Sequence, residues 1–166
     1  MDERVLDAVL IGAGATALLD LYGVARAWLT GTAAPDYGPV GRWLLYLPRG
    51  QFFHGAIAKS APLAGERPFG WAAHYAIGAA FAGVLLFVWP DFARAPTLLP
   101  ALIVGIGSVA APFLLMQPGM GAGLCASRTP NPRAARIRSL TTHTIFALGL
   151  YFTGLAAGWA LRAFEF

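Results

Sequence analysis

The chain has 166 residues, 57% of them hydrophobic, 13% aromatic and only 12% charged, with a formal net charge of +4. Soluble domains carry roughly 25% charge, so a chain this apolar, with a mean hydropathy of +0.60, cannot cover a water-facing globule. Disorder, a coiled coil, a disulfide scaffold and an ordinary cytosolic enzyme are excluded, and residues 1–166 read as a single all-α membrane domain.

Four apolar stretches are long enough to cross a hydrocarbon core of about 20 residues: 5–28, 69–89, 98–116 and 139–161. The first follows an acidic Met1-Asp2-Glu3-Arg4 and is too long for a signal-peptide core, so it is expected to be a retained helix. Pro96 and Pro100 mark the start of the third, and Pro112 is expected to kink its end. The fold expected is an integral membrane bundle of four transmembrane helices.

The connections are unequal: 29–68 and 117–138 are long, 90–97 short. With four crossings, both long loops fall on one side of the membrane. They hold Arg42, Arg49, Lys59, Arg67, Arg128, Arg133, Arg136 and Arg138, with Arg26 at their border, against Arg4, Arg94 and Arg162 on the other side. The positive-inside rule makes the long loops cytoplasmic and puts both termini on the other side. The high pI of 9.7 therefore reflects topology; cations spread along an apolar chain do not make a nucleic-acid surface. The first loop mixes Trp43, Tyr46, Phe52 and Phe53 with Arg42 and Arg49, the composition of a segment lying at the headgroup level or, alternatively, re-entering over a site.

Gly12-Ala13-Gly14-Ala15 imitates a dinucleotide fingerprint but lies inside a spanning helix, so its small residues are read as a packing face. Ala8, Gly12, Thr16 and Asp20 recur every four residues, as do His74, Gly78 and Ala82; His143 and Ala147 precede a Gly154/Gly158 pair. Ionisable side chains facing lipid are costly, so Asp20, His74 and His143 are expected to point inward at similar depth. With His54 from the first loop they form a candidate ligand set for a transition metal (Zn, Fe, Mn or Cu) or haem. Without a metal, Arg42 or Arg128 is expected to neutralise Asp20. A structural polar network and a proton or solute relay are the competing readings.

Met116 and Met120 are candidate soft ligands, with core filling as the alternative. Arg42, Arg49, Glu66, Arg67, Gln117, Ser127 and Arg128 are candidate polar or anion-binding residues; the turn at 127–132, together with Arg133, Arg136 and Arg138, suits an anionic headgroup or else merely marks the cytoplasmic side. No nucleophile elbow, P-loop or zinc-protease signature is present. The expected partners are the bilayer and, through the Gly154/Gly158 face, a second copy of the chain.

Several strings run together in one pattern: Gly41-Arg42-Trp43, Pro48-Arg49-Gly50 with His54, Glu66-Arg67 with Gly70-Trp71 and His74-Tyr75, and Pro96-Thr97-Leu98-Leu99-Pro100. Met116-Gln117-Pro118-Gly119-Met120-Gly121, Ser127-Arg128-Thr129-Pro130 and Ser139-Leu140 with His143 complete it. This resembles a domain-of-unknown-function family of small bacterial inner-membrane proteins across nearly the whole chain. The resemblance implies a four-helix protein of the bacterial inner membrane, in which the charge bias puts both termini in the periplasm, and brings no activity. The family pattern carries a histidine near Tyr46 and an alanine at Cys125, so neither position here matches it. Three functional classes remain open: a metal- or haem-binding membrane protein, a proton- or solute-conducting one, and a non-catalytic accessory protein.

Overall fold

The structure is a computed structural model that describes residues 3–163, with side chains described through Trp159; the Arg162 side chain lies outside the described residues. Among the described residues the chain is all-helical. Four helices are long and apolar enough to cross a membrane: α1 (Glu3–Thr30), α3 (Glu66–Val88), α4 (Leu98–Gly119) and α5 (Pro132–Ala163). A short helix, α2 (Gly38–Tyr46), lies in the first long loop.

Local chemistry explains the helix ends. Gly31, at φ +66°, takes the left-handed conformation that closes α1. Asp36 accepts the Gly38 N–H (3.0 Å) at the start of α2, where Pro39 sits in the first turn. α5 begins seven residues before the expected 139, because Asn131 caps the Ala134 N–H (3.0 Å) and Pro132 opens the first turn. Its first turns carry Arg133, Arg136 and Arg138, which hid the helix from a hydropathy reading. At Pro112 the helix changes register: 112–116 is a π turn in which the Gln117 N–H reaches the Pro112 carbonyl. A proline cannot donate the ordinary i→i−4 bond, and a wider turn absorbs the gap.

The chain divides into two compact units. One comprises the residues up to Pro35, Tyr75–Ser108 and those from Thr142; the other comprises Asp36–His74 and Val109–Thr141. The first unit is built on helix contacts between small residues, with Ile11, Ala15, Ala82, Leu85, Phe146 and Leu150 in its core. A β-carbon on Gly12 would run into the Gly78 and Ala79 backbone, and one on Gly78 into Thr16. Gly105 seats against Ala147, and Gly149 against Ala15. The four-residue stripes of the sequence therefore are the packing faces of α1, α3 and α5. Gly154 packs within the first unit, where Phe92 (2.8 Å from a β-carbon built there) and Pro96 lie against it. Large apolar side chains such as Phe87 and Trp159 remain exposed on the spanning helices, at 85% and 72%.

Candidate functional site

In the second unit α2 crosses α3 at two glycines. A β-carbon on Gly41 would meet the Glu66 carbonyl, and one on Gly70 the Tyr37 carbonyl. That approach puts Arg42 against Glu66 in a two-pronged ion pair, Nε to Oε2 at 2.7 Å and Nη2 to Oε1 at 2.6 Å, both side chains largely buried. Arg42 Nη1 donates to the carbonyls of Ile57 (3.2 Å) and Ser60 (3.1 Å), and Glu66 also accepts the Leu63 N–H at 2.8 Å. Both charges are thus hydrogen-bonded on every side that the fold encloses. The Glu66 carboxylate holds the Arg42 guanidinium above its ordinary pKa. Arg42 is therefore a structural clamp committed to Glu66, not the counter-ion expected for Asp20.

The two long loops are joined by backbone hydrogen bonds, His54 N–H to Gly119 O (2.8 Å) and Ile57 N–H to Met120 O (2.9 Å). Trp43 donates to the Phe52 carbonyl (3.0 Å), and its indole occupies the space that a side chain on Gly119 would need (2.5 Å). Tyr46 donates to the Ala61 carbonyl at 3.0 Å and lies edge-on to His54. His54 is buried, its Nδ1 hydrogen-bonded to Ser60 Oγ at 2.8 Å. The Gly-Arg-Trp, Glu-Arg-Pro-Phe-Gly-Trp and Met-Gln-Pro-Gly-Met-Gly strings thus form one interlocked structure.

The remaining loop candidates are divided between surface and interior. Arg49 is exposed and stands over the Tyr46 ring (5.6 Å), and exposed Arg67 pairs loosely with Asp36 (3.5 Å). Gln117 donates to Ser139 at 3.3 Å. Met116 and Met120 are half-buried one helical turn apart, joined by the Met120 N–H to Met116 O bond (2.8 Å). Ser127 and Arg128 are exposed on a turn in which Cys125 (φ +48°) and Ala126 (φ +59°) are both left-handed. The Arg136 Nε donates to the Cys125 carbonyl at 2.8 Å.

The intramembrane ionisable residues each take a partner. His143 Nδ1 meets Ser108 Oγ at 2.7 Å in the first unit, and that hydroxyl donates to the Gly105 carbonyl (2.6 Å). With the serine proton so committed, His143 donates from Nδ1. Tyr75 hydrogen-bonds Asp20 in the same unit. In the second unit His74 stacks on Tyr37, ring centroids 3.8 Å apart and planes 18° from parallel, with Trp71 edge-on to both. Among the described residues no three His, Cys, Asp or Glu side chains come together as a metal site. Tyr37 and Ser108 were not singled out from the sequence, and Tyr75 figured there only within the family pattern; Ser108, three residues after Gly105, extends the small-residue face of α4 and carried a readable signal, whereas Tyr37 lies in a loop. A hollow of about 180 Å³ at the α3–α4 turn, lined by Trp89, Asp91, Phe92 and Thr97 among others, holds none of the candidates. It is also smaller than the roughly 300–1,000 Å³ of sites that enclose a ligand.

Fold and site together define a multi-pass, all-α membrane protein whose two long loops are folded into an ordered, cation-rich structure. The chain belongs to the family described as protein of unknown function (DUF2938), whose model matches residues 9–157. No curated protein and no solved structure matches it.

Proposed function

We propose that this is a binding protein of the bacterial inner membrane, with both termini periplasmic, whose cytoplasmic loop structure engages anionic groups. The observation that carries the reading is the division of charge. The second unit holds eight of the twelve cations and only two acids, Asp36 and Glu66, whereas the first holds four cations and six acids. Both acids of the second unit are already paired, with Arg67 and Arg42. Arg49, Lys59, Arg128, Arg133, Arg136 and Arg138 are exposed, with no further acid in that unit to meet them. The test uses the purified full chain in nanodiscs of neutral phosphatidylcholine. Added inorganic pyrophosphate is expected to raise its melting temperature, an effect that fades between about 50 mM and 500 mM NaCl as charge is screened. No rise at low salt, or a rise indifferent to salt, would sink the reading.

A second reading, passage of protons or a small solute, is favoured by the two polar pairs between apolar helices, Asp20 with Tyr75 and Ser108 with His143. Proteoliposomes of the wild-type chain should then dissipate a pH gradient, and those of Asp20→Asn should do so at a background rate. Equal rates in both would reject it. The metal or haem reading draws less support, since each histidine is engaged with a different partner. Elemental analysis and an absorption spectrum of the purified protein test it directly.

A further inference from the structure

We propose that the turn at 121–128 and the first turns of α5 form a headgroup site for an anionic phospholipid of the bilayer that the protein spans, with Arg128 and Arg136 as its phosphate-binding residues and Arg133 beside them. The proposal rests on the anion-binding reading above and gives it a ligand and a place.

The turn is held in an unusual shape. Gly121 (φ +92°) and Gly123 (φ +75°) are left-handed, and so are Cys125 and Ala126, two consecutive residues with side chains that disfavour it. Such backbone persists only where its surroundings fix it. Here Gly121 seats against the backbone of His54 and Gly55, the Arg128 N–H donates to Ala122 O (2.8 Å), and the Thr129 hydroxyl donates to Ala126 O (2.8 Å). The backbone that carries Arg128 is thereby fixed, while its side chain stays exposed. The Cys125 carbonyl, turned out by the left-handed φ, accepts the Arg136 Nε. That bond ties the guanidinium of α5 to the turn and uses only one of its donors; Arg136 is itself exposed, so the other edge of the fork remains for a ligand.

Nothing in this stretch neutralises the charge. Residues 109–141 contain no aspartate or glutamate. The cations do not serve α5 either, because a helix dipole disfavours positive charge in its first turns. An external anion satisfies both conditions.

Depth selects lipid over a soluble anion. Arg133 lies seven residues before Leu140, where the apolar part of α5 begins, and at 1.5 Å per residue that is about 10 Å of helix. Each headgroup layer of a bilayer is about 5–8 Å thick. Arg136 and Arg138, about 6 Å and about 3 Å of helix from that point, therefore stand within the headgroup layer, with Arg133 just beyond its outer edge, and a basic cluster directly beside a spanning helix is the arrangement that recruits anionic lipid.

The experiment is native mass spectrometry of the full chain released from nanodiscs of mixed phosphatidylglycerol and phosphatidylcholine. The wild-type chain should retain phosphatidylglycerol in preference to phosphatidylcholine. Arg128→Gln/Arg136→Gln should lower that retention about tenfold or more, the loss that two arginine contacts imply. Arg136→Lys, which keeps the charge but not the anchored fork, should lower it by less. Arg94→Gln, which removes a cation from the other unit, should leave it unchanged. If the double variant does not fold, Arg133→Gln and Arg136→Lys carry the test singly, each expected to lower retention severalfold. Retention in the double variant equal to wild type, or a fall in Arg94→Gln as deep as in the double variant, overturns the site. If pyrophosphate stabilises the protein in neutral nanodiscs but no phosphatidylglycerol is retained, the lipid assignment fails and the anion reading stands; if neither is seen, both fail.

Discussion

Ser108 lets an ionisable ring sit between two spanning helices. Its hydroxyl is donor to Gly105 and acceptor from His143, so the imidazole is met without an opposing charge. The inward direction of His143 was legible, because Ala147 four residues on shares its face and Ala147 packs on Gly105. The partner was not: the histidine's period says which way the ring points and nothing of what waits there. Asp20 gives the same lesson, since its depth suggested an arginine and its hydrogen bond goes to Tyr75. Arg42 was drawn off by Glu66, a carboxylate 24 residues away that only the α2–α3 crossing brings near. Ser108→Ala should leave the His143 Nδ1–H without its acceptor and cost about 0.5–2 kcal/mol, the range for hydrogen bonds between membrane helices. Unfolding in mixed micelles measures it, in a double-mutant cycle with His143→Leu. No loss in the single variant and no coupling in the cycle would show the pair to be incidental.

The spanning helices were readable from apolar length alone, and their order and number stand as expected. What hydropathy could not find were α2 and the first turns of α5, because neither is built on an apolar run. α2 contains Gly38, Pro39 and Gly41, poor helix formers away from a terminus, and Arg42 in its middle. It is held by close approach to α3, so its existence depends on glycines whose role appears only with the partner present. Gly70→Ala should push α2 off α3 at the Tyr37 carbonyl and cost about 1–3 kcal/mol. Limited proteolysis should then cut the 29–68 loop sooner, while the spanning segments stay protected. Gly107→Ala is the contrast: nothing lies within 4 Å of a β-carbon there, and its loop should be cut at the wild-type rate. If Gly70→Ala is also cut at the wild-type rate, the crossing does not hold the loop.

At the scale of the whole molecule, the charge division that supports anion binding also sets an expectation for topology, and the chain carries its own probe. Cys125 is its single cysteine, half-exposed in the second long loop. The positive-inside rule puts that loop in the cytoplasm. A membrane-impermeant maleimide should therefore leave Cys125 unlabelled in intact spheroplasts and label it once they are permeabilised. Thr97, exposed where the α3–α4 turn meets α4, stands at the other end of that helix. In a Cys125→Ala background, Thr97→Cys should be labelled without permeabilisation. The two positions flank a single candidate crossing, Leu98–Gly119, so their patterns must be opposite whatever the orientation. Labelling of both from the same side would remove α4 as a span and with it the four-crossing architecture. Opposite patterns in the reversed sense would keep the architecture and invert the protein, placing Arg128 and Arg136 against the outer leaflet of the same membrane. The lipid site would then have to draw on the anionic lipid of that leaflet, and the cation bias of the loops would need a cause other than topology.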